Sequence, residues 1–356
     1  MSSLKKLAIR GAIWTLFSYG AIQGLRFGSN LVLTHLLDRK IFGLMALVNT
    51  FIMGLNLFSD IGIITSIIRS PRGDEPVFFN TAWTLETLRS GFVWLVCLAI
   101  AWPVAQFYGE PQLLWLIPIV GVCSLISGFN STSIAILKRQ IKLDKLTVFE
   151  LSVYLVQLLV MVGWAWFSPT IWAIVVGGII SKLLELIWSY RLIPNLVNYF
   201  IWDKESVREI LSFGRWTLLS TAMMFLALQA DKLILGKFSL EFLGVYTIAL
   251  TLAMVPREVS FALATKVMLP AVSTFAHLPM ETFRAKIFPK RKLILMVGAV
   301  GLTLLSSFGD LLIWKLYDSG YSQAAWMLPI LAVGLWPNIL YATSHSILLS
   351  LGKPNL

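Results

Sequence analysis

Apolar residues run in ten stretches, over roughly 12–37, 42–68, 79–105, 113–137, 146–167, 170–193, 213–237, 242–270, 292–315 and 323–350. A helix of about 20 apolar residues crosses the roughly 30 Å hydrocarbon core of a bilayer. Within lipid, a helix satisfies its own backbone hydrogen bonds where an irregular chain cannot. Ten such stretches in succession leave little choice of fold: the chain reads as an all-α, polytopic membrane helical bundle. Only 13% of the 356 residues are charged, against about 25% in soluble domains. Met1–Arg10 is basic, but the apolar stretch behind it is too long for a cleaved signal peptide and lacks a small-x-small site. Cys97 and Cys123 lie in apolar stretches without metal-ligand spacing and read as small buried hydrophobes.

The formal charge is +11, and its placement argues against nucleic acid. With the N-terminus taken as cytoplasmic, nineteen of the 29 Lys and Arg residues fall on the inner side, four on the outer side and six within spans. That skew fixes the orientation by the positive-inside rule. Trp102, Tyr108 and Trp115 flank one outer turn, Trp164, Trp166 and Trp172 the next, and Trp314, Tyr317, Tyr321 and Trp326 the last. These read as interfacial girdles. The longest inner connections are 194–212 and 275–291, neither large enough for a folded soluble domain. The first carries Tyr199–Trp202 and then alternating charges, which reads as a segment lying along the membrane surface.

The first two stretches carry thin polar stripes and are separated by Asp38, Arg39 and Lys40. Tyr19, Gln23, Arg26, Asn30 and Thr34 recur at steps of four and three, as do Asn49, Met53, Asn56 and Asp60. Such steps place each set on one helix face. A charge facing the bilayer centre costs about 3 kcal/mol or more, so these faces are expected to turn toward protein or water as the wall of a polar cavity.

The chain also repeats itself. Ile13–Leu16 matches Arg215–Leu218, and Ile41–Leu44 matches Phe242–Val245. Tyr108 with Leu114–Ile119 matches Tyr317 with Ala325–Ile330. One copy therefore spans six helices, giving an expected N-terminal lobe over 1–200 and a C-terminal lobe over 201–356 with four helices. The second copy reads as truncated, without counterparts of the fifth and sixth helices. An even helix count gives parallel repeats, an arrangement that transporters use around a midplane site.

Intramembrane charges are the functional candidates. Glu86 with Arg89, and Lys182 with Glu185, stand three apart and can neutralise each other locally. Arg26 and Asp60 have no partner on their own helices, and the neighbours Asp231–Lys232 and Arg257–Glu258 do not share a face. The substrate-binding candidates are Arg26, Arg257, Gln23, Asn30, Asn56 and Lys232, because guanidinium forks suit a phosphate or pyrophosphate. Asp60, Asp231 and Glu258 are the candidates for coupling a proton or sodium ion. Pro118, Pro256, Pro270, Pro329 and Pro337 interrupt helices, as hinges or as static kinks. There is no G-x-x-x-x-G-K-[ST] loop, and His35, His277 and His345 are scattered. No cofactor, metal or catalytic residue is expected.

Several segments, taken in order, resemble the polysaccharide transporter or oligosaccharide flippase branch of the multidrug/oligosaccharidyl-lipid/polysaccharide superfamily. They are Leu36–Asp38 with Phe42–Leu44 and Ala46–Val48, Phe58–Ile63, Phe213–Trp216, Gln229–Gly236, Leu243–Tyr246 and Leu269–Ala271. The resemblance implies two six-helix lobes around a central cavity in the bacterial inner membrane. It implies flipping of undecaprenyl-pyrophosphate-linked oligosaccharide by alternating access, for capsule, O-antigen or exopolysaccharide. Cationic cavity residues, here Arg26 and Arg257, would meet the headgroup. The implied partners are the lipid-linked oligosaccharide, membrane lipids, a polysaccharide polymerase and glycosyltransferases. A cation-coupled multidrug exporter of the same superfamily is the alternative, and would carry an acidic cavity. A membrane polymerase or ligase is a third reading, opposed by the thin outer loops.

Overall fold

The computed structural model describes residues 20–350 apart from 141, 215–216, 265–271, 273–274 and 276–278. Tyr19, Arg215, Pro270 and His277, singled out above, lie outside the described residues. Among the described residues there is no strand. By internal contacts the chain forms two compact units, Met1–Leu243 and Gly244–Leu356.

The first unit opens with helix α1 (20–36), followed by α2 (Arg39–Ser59). The polar break between them is a helix start. Asp38 is extended, and its carboxylate accepts the Lys40 N–H at 2.8 Å, satisfying one of the donors that a helix N-terminus leaves open. The stretch expected as one helix over 42–68 is two. After α2 the chain turns at Asp60–Gly62 and resumes as α3 (Ile63–Arg69). Asp60 Oδ1 accepts the Gly62 N–H at 2.8 Å, and Gly62 sits at φ 71°, a conformation that glycine adopts without a Cβ penalty. The carbonyls ending α3 are met by Arg139, whose Nη1 donates to Ile67 O, Ile68 O and Ser70 O at 3.2, 3.0 and 2.6 Å.

α4 (Pro76–Tyr108) and α5 (Leu113–Gly128) form a tightly packed hairpin. The expected helix over 113–137 bends by 60° between α5 and α6 (Ser133–Arg139). A break inside an apolar bundle must find partners for its freed backbone groups. Here Ser131 N–H donates to Ser189 Oγ at 2.9 Å, and Thr132 N–H donates to Asn198 Oδ1 at 3.2 Å. α7 (Leu143–Phe167) and α8 (Trp172–Ser189) form a second hairpin, and α5 packs on α8. There the Trp115 and Trp172 rings stack 5.2 Å apart.

The connection after α8 is more constrained than a surface segment. The rings of Tyr199, Phe200 and Trp202 are exposed, as expected, but the backbone is fastened to α4. Asn80 Oδ1 accepts the Tyr199 N–H at 3.2 Å, and Thr84 Oγ1 accepts the Ile201 N–H at 3.0 Å. α9 (Lys204–Gly214) then starts at Asp203, whose carboxylate accepts the Ser206 hydroxyl and N–H. Those two bonds hold the Asp203 carboxyl below its ordinary range, the hydroxyl bond contributing most. α10 (Thr217–Phe238) packs on α2.

The second unit takes most of α11 (Leu240–Leu263), then α12 (Met280–Leu316), α13 (Ala324–Gly334) and α14 (Trp336–Ser350). Its local pattern matches the segment that the sequence pairs with it. α4 ends at Tyr108 and Pro118 falls five residues after the start of α5. α12 ends just before Tyr317 and Pro329 falls five residues after the start of α13. Tyr317 and Tyr321 are not girdle residues: both are buried, their rings edge to face 5.8 Å apart. Trp102, Trp164, Trp166, Trp314 and Trp326 keep exposed rings, as an interfacial belt requires.

Among the described residues, seven helices are long and apolar enough to cross a membrane, and the bent α5–α6 pair makes eight. The two other expected spans, 12–37 and 213–237, run into undescribed residues. The chain is an all-α multi-pass membrane protein.

Two glycines of α5, Gly121 against Cys97 and Gly128 against Ser90, let α4 and α5 approach, and Gly128 is the tighter. A Cβ on Gly128 would overlap the buried Ser90 side chain, and the Gly128 carbonyl accepts the Thr87 hydroxyl at 3.0 Å. Small residues let membrane helices approach in this way. Overpacking costs about 1–3 kcal/mol, so Gly128→Ala lowers the melting temperature of the purified protein, and Ser90→Gly in the same chain recovers most of the loss. Equal melting of wild type and Gly128→Ala would contradict this packing.

Candidate functional site

A cavity of about 620 Å³ lies inside the first unit, walled by α2, α4, α5, α6, α7 and α8. It exists because each wall helix turns a few polar groups to one face. α2 contributes Met45, Asn49, Ile52 and Asn56, spaced by four, three and four. The expected stripe on this helix is therefore half right. Met53 faces another way, its sulfur accepting Gln229 Nε2 from α10 at 3.3 Å. Asp60 is beyond the helix end and holds the turn described above.

Six Lys, Arg and Glu side chains line the cavity: Glu86, Arg89, Lys138, Glu150, Lys182 and Glu185. Their signs balance. Arg89 pairs with Glu86 on its own helix, as the spacing predicts, with Nε 3.1 Å from Oε2. Its Nη1 also donates to Ser59 Oγ at 2.9 Å and to Asn56 O at 3.4 Å, tying α4 to the end of α2. Lys182 Nζ lies 2.6 Å from Glu185 Oε2, and Glu185 Oε1 accepts Asn130 Nδ2 at 2.9 Å from the α5–α6 break. Among the described residues, Lys138 and Glu150 make no ion pair or hydrogen bond through their side chains, and both are exposed to the cavity. Asn56 Nδ2 donates to Ser124 Oγ across the cavity wall at 2.9 Å.

The nine sequence-derived candidates divide by position. Asn56 lines the cavity. Arg26 reaches it indirectly: its guanidinium carbon stands 6.0 Å from the centroid of Tyr154, itself a lining residue, within cation–π range. Among the described residues Arg26 has no carboxylate partner. Gln23 and Asn30 are half-buried on the same helix, and among the described residues Asn30 Oδ1 has no hydrogen-bond donor. Lys232 donates to Gln229 Oε1 at 2.8 Å, and Thr50 of α2 donates to the same oxygen at 3.4 Å. That small polar contact seals α10 against α2 away from the cavity. Asp231 Oδ1 accepts the Lys232 N–H at 2.8 Å. Asp60 is exposed at its turn. Arg257 and Glu258 belong to the second unit, half-buried next to Pro256 inside α11. Among the described residues Arg257 has no hydrogen-bond or ion-pair partner.

Sequence reasoning missed Lys138, Glu150, Tyr154 and Gln157 as lining residues. Glu150 carried a usable signal, a carboxylate four residues inside the expected span 146–167. Lys138 lies one residue beyond the expected span 113–137, and α6, bent from α5, brings it to the cavity. Among the described residues no group of three His, Cys, Asp or Glu side chains could hold a metal.

A family profile described as "Polysaccharide biosynthesis protein" matches residues 32–319. The chain is 25% identical over 305 residues to the lipopolysaccharide biosynthesis protein WzxC of Escherichia coli strain K12, covering 84% of this chain and 60% of that protein. It is 27% identical over 268 residues to the amylovoran biosynthesis protein AmsL of Erwinia amylovora, covering 71% and 66%. The chain thus spans 60% and 66% of the length of these two curated relatives. A solved inward-facing structure of a multidrug resistance MATE family transporter of the MOP superfamily superposes with a TM-score of 0.69 at 12% identity, over 94% of this chain and 82% of that one. At that identity the likeness concerns the fold alone.

The Glu86–Arg89 pair is 17% exposed on each side chain, and removing one member leaves the other unpaired. A fully buried broken pair costs about 3–5 kcal/mol; with the cavity beside it, the loss here is on the order of 2 kcal/mol. Arg89→Met and Glu86→Gln each lower the melting temperature, and the double variant melts closer to wild type. Additive losses in the double variant would show that the two do not act as a pair.

Proposed function

We propose a function on one premise: the chain belongs to the polysaccharide biosynthesis protein family. It acts as a transporter, not an enzyme, moving a lipid-linked oligosaccharide across the membrane for surface polysaccharide biosynthesis. The observation that carries this reading is a polysaccharide-biosynthesis sequence over residues 32–319 borne on a MOP transporter fold. The names of the relatives support it, since one concerns lipopolysaccharide and the other amylovoran. The cargo is an undecaprenyl-pyrophosphate-linked glycan, and transport proceeds by alternating access of the lobes 1–200 and 201–356. The protein resides in the bacterial inner membrane with its N-terminus in the cytoplasm, and works with a polymerase and glycosyltransferases.

Arg26 and Arg257 are the proposed headgroup contacts, with Gln23, Asn30, Asn56 and Lys232 as further substrate contacts. What supports the two arginines is that neither is matched by a carboxylate among the described residues, unlike Arg89. A guanidinium in that state keeps its donors for phosphate oxygens. Asp60, Asp231 and Glu258 are the proposed ion-coupling carboxylates. The likeness to multidrug transporters favours drug export as the second reading, and Glu150 facing a cavity suits it.

In a strain lacking the gene, Arg26→Ala and Arg257→Ala each reduce surface polysaccharide at least tenfold relative to the wild-type gene, with equal membrane levels. Full export by both variants overturns the headgroup assignment. Unchanged polysaccharide with increased drug susceptibility on deletion favours the exporter instead.

The orientation has its own check. In a chain with Cys97 and Cys123 replaced by Ala, Gln112→Cys reacts with a membrane-impermeant maleimide in intact cells, whereas Glu205→Cys reacts only after permeabilisation. The opposite pattern reverses the topology.

A further inference from the structure

The second unit carries a groove of about 360 Å³ between α12 and α14, lined by Phe288, Leu295, Met296, Ala299 and Trp336 and headed by Arg291 and Lys292. Among the described residues no acidic side chain lines it. Apolar walls under two cations are the complement of one molecule type, an amphiphile with an anionic head. We propose that this groove binds a single anionic phospholipid of the surrounding bilayer, its phosphate on Arg291 and Lys292 and an acyl chain along Leu295, Met296 and Trp336.

Three features of the site carry the assignment. Arg291 is aimed rather than loose: Nη2 donates to Ser344 Oγ at 3.0 Å and Nε to Thr343 Oγ1 at 3.4 Å, both on α14. The remaining nitrogen, Nη1, has no partner among the described residues, and Lys292 has none either. A cation held by hydroxyls alone keeps its full charge for a phosphate oxygen, and a charge-assisted bond is about twice as strong as a neutral one. The neighbouring bases are occupied elsewhere, since Lys286 and Lys290 lie over the Phe275 ring at 4.7 and 5.6 Å.

The groove also has a lipid's dimensions. From Arg291 to Ala299 the helix rises about 12 Å, within the roughly 15 Å of one leaflet's hydrocarbon. That length fits one acyl chain and is short for an undecaprenyl tail. Met296 is 47% exposed, and a chain lying on it would cover it. The site stands whatever the protein transports.

The test uses the full chain in detergent, titrated with phosphatidylglycerol or phosphatidylethanolamine of matched chains and read by native mass spectrometry. The wild type binds one phosphatidylglycerol at least tenfold more tightly than phosphatidylethanolamine. Arg291→Ala/Lys292→Ala abolishes that preference, while Lys286→Ala/Lys290→Ala stays within twofold of wild type. Brominated phosphatidylglycerol quenches a tryptophan component that is missing from Trp336→Phe, which places the chain in the groove without relying on the charge variants. The proposal fails if the wild type shows no anionic preference, if both double variants lose it equally, if Trp336→Phe is quenched as strongly as wild type, or if undecaprenyl phosphate binds this groove and phosphatidylglycerol does not.

Discussion

A charge taken out of water inside an apolar bundle must be answered by another group, because the desolvation of an isolated ion costs several kcal/mol. The first unit answers its charges and its broken helices with the same bonds. Arg89, already paired to Glu86, spends its second nitrogen on Ser59 and on the Asn56 carbonyl, in the last turn of α2. Glu185, already paired to Lys182, accepts from Asn130 in the break between α5 and α6. Each helix interruption frees polar groups that lipid cannot satisfy. Each intramembrane ion pair has donors or acceptors left over. Bringing the two together leaves a polar cavity where the interruptions converge.

The same logic explains why α4 is not a plain membrane span. Asn80, Thr81 and Thr84 are buried near its start, where an ordinary span would be apolar. They receive the backbone of 199–203, which forms no helix of its own and has no sheet to join. Asn198 completes the knot, donating to Thr132 Oγ1 at 2.9 Å while accepting from the Thr132 N–H. A chain segment that leaves the bundle is thereby fixed on the helix it passes, and α9 begins at a defined place.

The sequence made the helices legible and left their interruptions mostly hidden. Hydropathy reports long apolar runs, and α4, α7 and α8 fall close to the expected 79–105, 146–167 and 170–193. It does not report a 60° bend at 129–132, because Phe129–Thr132 is too short and too weakly polar to lower a window average. The turn at Asp60–Gly62 was visible as residues but was read as one more step of a polar stripe. Periodicity cannot distinguish a side chain on a helix face from one that ends the helix by bonding its own backbone. The cavity suffered in the same way. Spacing identified both ion pairs, yet a three-residue step says which residues meet and not which neighbour the pair faces. Asn49 and Asn56 were recoverable from their four- and three-residue rhythm, whereas Tyr154 and Gln157 look like any polar interruption until α7 is placed beside α8.

Hydropathy also marks where a helix enters the membrane, not where it begins, and α12 shows the consequence. The apolar run starts near residue 292, but the helix starts at Met280 and runs for 37 residues, about 55 Å. Lys, Arg and Glu are good helix formers, and the helix continues across the polar boundary although Pro289 inside it removes one backbone hydrogen bond. The surplus turns carry Arg284, Lys286, Lys290, Arg291 and Lys292 as a helical extension of the span. On a disordered connection these bases would average over solvent. On a continuous helix each holds a fixed azimuth, so that Lys286 and Lys290 share the face over Phe275 while Arg291 and Lys292 turn toward α14. The length of one helix thus converts a charge count, which by itself fixes only topology, into a surface with a definite place for a phosphate.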